Sequence, residues 1–277
     1  MVIFIGFLLL GFGVGLVGTL VGAGGGFILT PLLLLFFPAY RPEVIAASSL
    51  LVVNLNALSG TIAYLRLGRI DVKTSVIYGL VALPWVVLGA YGTSFVARGP
   101  FDILLGIALL ALCVSLLLGP SSRGHLPSDE ETPHWANRNI VDRVGRVYTY
   151  RFRFKRGIWM STFIGFFSSF LGIGGGPIYV PVMIRFLYVP AHIATATSQC
   201  LLLLTVTVAV LYHYLQGNLQ AVAHFAFPLA IGVISGAQAG AILSNRLRSI
   251  TLTRVLALLL IIVSLELFYK GIGILQQ

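Results

Sequence analysis

A glycine-rich stretch that occurs twice is the strongest constraint on how this chain folds. Residues 22–31 read GAGGGFILTP, and residues 172–181 read GIGGGPIYVP. Gly15 and Gly165 precede the two runs, so one offset of 150 residues holds from this glycine pair to the final prolines. A patterned match of this length indicates that the chain consists of two copies of one unit. Repeated units in a membrane chain favour a transporter.

The composition places the chain in a membrane. Hydrophobic residues make up 58% of the sequence, charged residues 9%, and the mean hydropathy is +0.98, which excludes an ordinary soluble domain. The first residues carry no basic cluster and no clear small-residue cleavage context follows, so we interpret the N-terminus as retained rather than as a signal peptide. No organelle is indicated, and we expect a multi-pass protein of the plasma (inner) membrane.

The charged residues and the cysteines exclude several classes of function. The net charge of +10 does not indicate a nucleic-acid partner, because the basic residues lie mostly in short segments between apolar runs, where they orient helices. Cys113 and Cys200 lie inside apolar runs, so no disulfide scaffold or CxxC motif is available. No cluster of Cys, His and carboxylate residues has catalytic or metal-binding spacing, so the sequence predicts no enzyme, metal site or cofactor.

Short apolar pieces around each glycine run predict a re-entrant helical hairpin. A crossing takes about 20 residues for roughly 30 Å of hydrocarbon. The piece 28–37 is about half that length, as are 158–171 and 178–189. Each repeat then continues with three longer apolar runs, namely 44–65, 72–96 and 101–118 in the first and 193–215, 219–243 and 250–268 in the second. The expected fold is an all-α integral membrane protein of two repeats, each a hairpin plus three transmembrane helices.

The distribution of basic residues orients the repeats. The segment 119–156 is long, polar and rich in arginine, so the positive-inside rule places it in the cytoplasm between a first membrane unit, 1–118, and a second, 157–277. The basic turn 66–69 corresponds to the uncharged turn 216–218 in the second copy. Charge therefore does not follow the repeat, and we predict that the two repeats are inverted.

The central cytoplasmic segment contains two kinds of sequence. Residues 121–131 are rich in Pro, Ser and acidic residues and are expected to be mobile. Residues 148–155 alternate aromatic side chains with Thr, Arg and Lys, a period of two that is typical of a strand. We favour a basic loop that orients the protein, with a short β element or a contact with anionic lipid as the alternative.

The repeated glycine run predicts an anion site. In lipid, broken helical backbone is tolerated only where protein packs on it or where it lines a wet cavity. A helix that begins after each break directs its free N–H groups and positive dipole end at the protein centre, which suits an oxyanion. Close packing of small residues is the alternative. The candidate binding residues in the two runs are Gly24, Gly25, Gly26, Phe27, Gly174, Gly175, Gly176 and Pro177.

Polar residues follow each glycine run in register. Residues 47–49 (Ala-Ser-Ser) match residues 196–198 (Ala-Thr-Ser) at an offset of 149. Their hydroxyls are candidates to donate to the same anion, although hydroxyls in membrane helices often bond to their own backbone. The candidates are Ser48, Ser49, Thr197 and Ser198, together with the amides Asn54 and Gln199 and with Asn56 as a further amide.

The doubled Gly-x-Gly-Gly-Gly-x4-Pro run, each followed by a small-Ser/Thr-Ser element, resembles the TauE/SafE (TSUP) family of sulfite and organosulfonate exporters. The resemblance covers nearly the whole chain. Ser48-Ser49 stands where that family more often has Thr-Ser, which keeps the hydroxyl. The resemblance implies export of small sulfur-containing anions such as sulfite or sulfonates, whereas the spacing alone indicates only an anion.

We therefore interpret the chain as a secondary transporter that carries a small sulfur-containing anion across the bilayer by alternating access of two inverted repeats. A passive anion channel shares the same site and is retained as an alternative. A non-transporting membrane assembly subunit is a second alternative. The expected partners are the anion and the lipid bilayer, no nucleic acid is expected, and a homodimer is retained beside a monomer.

Overall fold

The computed structural model describes residues 2–117, 135–219, 223–244, 261 and 264–273. These residues are mostly helical, which confirms an all-α membrane protein. The helices of the first half are α1 (Val2–Val21), α2 (Gly26–Phe36), α3 (Pro42–Leu67), α4 (Val72–Thr93) and α5 (Arg98–Leu117). Strands β1 (Trp135–Val141) and β2 (Val147–Arg153) precede α6 (Phe154–Phe170), α7 (Gly176–Phe186), α8 (Ala191–Leu215), α9 (Ala223–Leu243) and a helical stretch at 264–273.

Helix length separates crossing helices from half-length helices. Five of the described helices are long and apolar enough to cross a membrane, and they include α3, α4, α8, most of α9 and the segment Phe4–Val21 of α1. By contrast, α2 and α7 have 11 residues each, which reaches about 16 Å at 1.5 Å per residue. These two helices follow the glycine runs, as the sequence predicts. The re-entrant course of the hairpins stays a prediction.

The helix before each glycine run packs against the other repeat. Along α9, Gly232, Gly236 and Gly240 leave so little room that a Cβ on any of them would collide with a backbone carbonyl of α1. On α1, Gly11 and Gly15 approach the backbone of α9 in the same way. In the corresponding pair, α6 packs on α4. Small residues at four-residue spacing allow this close approach of membrane helices, so the two repeats are interlocked.

The central helices of the two repeats, α3 and α8, run antiparallel. Asn54 of α3 bonds Thr207 of α8, whereas Gly60, further along α3, lies against Gln199, which is earlier in α8. Equivalent helices that run in opposite directions are what inverted repeats require. The inversion across a membrane stays a prediction.

A β-hairpin docks on the turn between α3 and α4. Strands β1 and β2 pair antiparallel, with Arg138 opposite Tyr150. The buried Arg69 of the turn pairs with the buried Asp142 of the hairpin at 3.2 Å, and Asp71 accepts from Tyr150 at 2.7 Å and Arg138 at 3.1 Å. Of the alternating stretch, 148–153 lies on β2, with Tyr150 and Phe152 turned into the protein.

Hydrogen bonds hold the carboxylate of Asp142 in its charged form. Burial alone would raise its pKa, but the N–H groups of Arg146 and Val144 and the guanidinium of Arg69 outweigh burial, so the pKa of Asp142 is lowered. The hairpin therefore keeps its buried ion pair at neutral pH. The segment expected to be mobile, 121–131, lies outside the described residues, as does most of the last predicted crossing, 250–268.

Candidate functional site

Both glycine runs form a turn with left-handed glycines at two equivalent positions, and the turns differ at the next glycine, where Gly25 has a φ of 82° and Gly175 a φ of 11°. Gly22 and Gly24 have φ values of 74° and 72°, and their counterparts Gly172 and Gly174 have 66° and 68°. These values lie in the left-handed region that only glycine adopts without strain. A side chain at any of the four positions would strain the turn, so the sequence pattern is a requirement of the backbone. We call residues 22–26 the first glycine turn and residues 172–176 the second.

The two turns contact each other reciprocally. A Cβ on Gly26 would collide with the Ile173 carbonyl, and a Cβ on Gly176 would lie 2.6 Å from the Gly22 carbonyl and 2.6 Å from the Ala23 Cα. Since Ala23 and Ile173 are equivalent positions, each turn presents the same surface to the other. This is the pattern of an approximate two-fold axis, along which like surfaces meet.

Two equivalent apolar side chains cover the place where the turns meet. Val53 of α3 lies within contact of Gly24, Gly26 and Gly174, and Leu202 of α8 lies within contact of Gly24 and Gly176. Both side chains are fully buried. The structure therefore brings the glycines of the two runs together in the buried centre of the helix bundle. That they form a shared anion site stays a prediction.

The first glycine turn leaves backbone donors without acceptors. The N–H groups of Ala23 and Gly24 both donate to the Gly18 carbonyl, and those of Ile28 and Leu29 donate to the Gly25 carbonyl. Among the described residues, nothing accepts from the N–H groups of Gly25, Gly26 and Phe27. No side chain caps α2, because its N-cap residue is Gly25. Three donors and the positive end of the α2 dipole thus meet in the buried centre.

The second glycine turn uses most of its equivalent donors. Gly176 donates its N–H to the Gly174 carbonyl, and Pro177 has no N–H to donate. Within the described part of the chain, this leaves the Gly175 N–H as the one donor of this turn without an acceptor. The positive end of α7 is present, but it offers fewer hydrogen bonds than α2.

Hydroxyl groups tie the carbonyls of each turn to the opposite repeat. Ser198 donates to the Gly22 carbonyl at 2.7 Å. In the other direction, Thr30 donates to the Gly172 carbonyl at 2.7 Å and lies 2.8 Å from the Ser49 hydroxyl. Two predicted site hydroxyls, Ser49 and Ser198, therefore lie at the turns, where they bond protein groups in this structure.

The other candidate polar residues lie further from the turns. Ser48 donates to the Val44 carbonyl of its own helix at 2.6 Å, and Asn54 donates to the Thr207 hydroxyl at 2.7 Å. The Thr197 hydroxyl accepts from the backbone N–H of Asp71 at 3.1 Å, which links α8 to the turn that holds the β-hairpin. A role for these three residues in anion binding stays a prediction.

A polar cluster lies beside the first glycine turn. Thr19 donates to Asn56 Oδ1 at 2.8 Å, and Gln199 Nε2 donates to the Gly18 carbonyl at 3.3 Å. A Cβ on Gly60 would lie 3.3 Å from both the Thr19 hydroxyl and Gln199 Oε1. Sequence reasoning did not assign Thr19 to the site, although its counterpart Ser169 repeats the hydroxyl at the offset of 150 residues.

A partly open apolar pocket lies between three helices. It has a volume of about 300 Å³ and lies between α5, α6 and α7. Its lining is almost entirely apolar and includes Leu112, Phe163 and Phe167. A cavity of this composition does not suit an oxyanion.

The sequence of this chain matches the family model described as sulfite exporter TauE/SafE over residues 7–267. A probable membrane transporter protein, YunE, of Bacillus subtilis is 29% identical over 97% of this chain and 98% of the relative. A probable membrane transporter protein of Xylella fastidiosa is 26% identical over 95% of this chain and 92% of the relative. A probable membrane transporter protein of Methanocaldococcus jannaschii is 25% identical over 81% of this chain and 78% of the relative. No solved structure matches the chain.

Proposed function

The chain belongs to the TauE/SafE sulfite exporter family, and we propose that it exports sulfite or a related small sulfur-containing oxyanion across the plasma membrane by alternating access. That the chain is a multi-pass membrane transporter rather than an enzyme follows from its family and from the names of its relatives. The proposal adds the identity of the anion, the direction of transport and the transport cycle.

The observation that carries the proposal is the set of free donors at the first glycine turn. The N–H groups of Gly25, Gly26 and Phe27 have no acceptor among the described residues, although they lie in the buried centre of the bundle. A buried donor without a partner costs about 1–3 kcal/mol. Several such donors at one helix N-terminus suit a ligand with several acceptor oxygens, such as a pyramidal or tetrahedral oxyanion.

The symmetry of the fold supports alternating access. The antiparallel α3 and α8 and the reciprocal contact of the turns fit two inverted repeats that rock about a central site. The central loop then lies in the cytoplasm, together with the β-hairpin docked on Arg69 and Asp71. In this structure Val53 and Leu202 close over the turns, which fits a state in which the site is covered.

Flux measurements on reconstituted protein test the proposal. We expect proteoliposomes to carry sulfite with saturating kinetics and a turnover far below that of a channel. Replacing both Gly25 and Gly175 by leucine should abolish this flux, because a side chain at Gly25 would collide with Val14 and one at Gly175 with Tyr179. Sulfite flux that survives in the double variant would contradict the site, and flux that does not saturate would favour the passive channel.

A further inference from the structure

Two side-chain amides beside the first glycine turn carry polar atoms without partners. Asn56 and Gln199 are completely buried. Asn56 Nδ2 and Gln199 Oε1 have no hydrogen-bond partner among the described residues. Buried amide groups are normally satisfied, so an amide donor left unpaired among the described residues in the centre of a membrane protein points to a role in binding.

Asn56 lies on the face of α3 that covers the first glycine turn. Val53, three residues earlier, contacts Gly24 and Gly26, and Gly60, four residues later, lies against Thr19. Residues spaced by three and four positions share one face of a helix. The Asn56 amide therefore lies next to the turn whose N–H groups have no acceptor. The bond from Thr19 to Asn56 Oδ1 fixes the amide and leaves Nδ2 as its free donor.

The second copy has no equivalent amide. The position that corresponds to Asn56 is Thr205, whose hydroxyl donates to the Leu201 carbonyl of its own helix at 3.0 Å. The position that corresponds to Gln199 is Leu50. Asn56 follows Val53 by three residues, and Gln199 precedes Leu202 by three residues. Because α3 and α8 are antiparallel, both amides lie on the same side of the two covering side chains. This is the side of the first turn.

We propose that Asn56 Nδ2 is a substrate-binding donor that completes the anion site at the first glycine turn. The site is then one-sided, which means that all its donors come from the side of the first turn. The N–H groups of Gly25, Gly26 and Phe27 and the amide of Asn56 donate to the same oxyanion. This inference rests on the proposed function. It assigns the binding amide to Asn56 rather than to Asn54, the other candidate asparagine, whose Nδ2 already bonds Thr207.

Two substitutions of Asn56 test the inference. Asn56→Asp keeps an acceptor for Thr19, removes both amide donors and adds a negative charge. Asn56→Thr installs the residue of the second copy. Binding of inorganic sulfite is measured by calorimetry on purified full-length protein, with gel filtration to confirm that each variant is monodisperse. We expect the Kd for sulfite to rise at least tenfold in both variants, as loss of a hydrogen bond to a charged ligand requires.

Gln238→Glu is the matched control for a carboxylate placed inside the helix bundle. Gln238 Nε2 donates to the Ser59 carbonyl of α3 at 2.9 Å and so already has an acceptor in the protein, and its replacement should change the Kd less than threefold. The Asn54→Asp variant decides between the two asparagines.

The outcomes separate the inference from the function on which it rests. If Asn54→Asp weakens sulfite binding and Asn56→Thr does not, or if both Asn56 variants bind as Gln238→Glu does, the inference is wrong while the anion site stands. If the unmodified protein binds neither sulfite nor a short alkyl sulfonate, the proposed function fails first. If Asn56→Asp is not monodisperse, the Asn56→Thr result alone decides.

Discussion

At the start of α2 three N–H groups lack an acceptor among the described residues, whereas at the start of α7 one does. The two glycine turns nevertheless share two left-handed glycines, at the first and third positions, and their reciprocal contact. The parts of the duplicated unit that hold the repeats together are the same in both copies, and the parts that present donors differ. Packing and ligand binding are therefore separable properties of one motif, and substitutions should affect them separately.

The largest expected effect is on the packing that the two turns share. Gly26→Ala and Gly176→Ala each place a Cβ against the backbone of the opposite turn, where no side-chain movement makes room. We expect the free energy of unfolding of each variant to fall by more than about 3 kcal/mol. Most of the purified protein should also no longer be monodisperse. Thermal unfolding in detergent with gel filtration measures both.

Gly13→Ala is the control for these variants, because a Cβ there meets nothing within 4 Å. If only one of the two turn variants loses stability, the reciprocal contact is not equivalent in the two copies. If both are as stable as Gly13→Ala, the turns do not pack as described.

The second prediction exchanges the residue that distinguishes the donors of the two turns. Phe27→Pro removes one N–H from the first turn, as Pro177 does in the second, and proline in the first turn of a helix breaks no helical bond. We expect the Kd for sulfite to rise about tenfold or more, the effect of one lost hydrogen bond to a charged group. Calorimetry on the purified protein measures the Kd.

Phe27→Leu controls for the loss of the buried ring and should keep the affinity within about threefold, since it changes no hydrogen bond. Pro177→Ala, which returns an N–H to the second turn, should not weaken binding. Equal losses in Phe27→Pro and Pro177→Ala would mean that the site is two-sided.

The third prediction concerns the hydroxyls that bond the turn carbonyls. Thr30→Val installs the residue type of the equivalent position, Val180, and leaves the buried Gly172 carbonyl without its donor. Ser198→Ala does the same to the Gly22 carbonyl. We expect each to cost about 1–2 kcal/mol, visible as a lower midpoint of thermal unfolding.

Ser48→Ala is the comparison for this pair, because its hydroxyl bonds only its own helix, and it should cost less than either. A Thr30→Val variant as stable as Ser48→Ala would show that the carbonyl of the second turn does not need this donor. The two copies would then differ in their packing as well as in their donors.

Much of the architecture is readable from the sequence because it depends on local patterns. The apolar runs predict α3, α4, α5, α8 and α9, and the glycines mark the turns because a left-handed backbone excludes other residues. The choice of neighbours is not readable in this way. That α1 packs on α9 of the other repeat depends on matching glycine surfaces more than 200 residues apart, which no local pattern reveals.

The candidate site was predicted less completely than the fold. The repeat led to Ser48 and Thr197 because they recur in register, yet their hydroxyls bond Val44 and Asp71. Asn56 has a hydroxyl residue, Thr205, and no amide as its counterpart, so sequence reasoning named it only as a further candidate beside Asn54 and Gln199. Strand β1 was missed for a similar reason: the alternation of aromatic and charged residues is confined to β2, and β1 is recognisable only by its pairing.

The smallest expected effect on stability comes from replacing Gln199, the amide of α8 in the polar cluster with Thr19 and Asn56. Gln199→Leu installs the residue of the equivalent position, Leu50, with a side chain of similar size. The substitution loses a long bond of 3.3 Å to the Gly18 carbonyl and at the same time removes Oε1, a buried acceptor without a partner among the described residues. Because the two effects oppose each other, we expect thermal stability to change by less than about 1 kcal/mol.

The reverse substitution, Leu50→Gln, sharpens the comparison between the copies. It buries a new amide near the second turn, where the Ser168 hydroxyl already bonds its own helix at the Gly165 carbonyl. The buried Ser169 hydroxyl, which has no partner among the described residues, can satisfy only part of the amide, so we expect a loss of about 1–3 kcal/mol. Thermal unfolding of the two variants side by side measures the difference. Equal changes in both would mean that the two sides of the Val53 and Leu202 pair offer the same polar environment, and the one-sided site would then lose its structural basis.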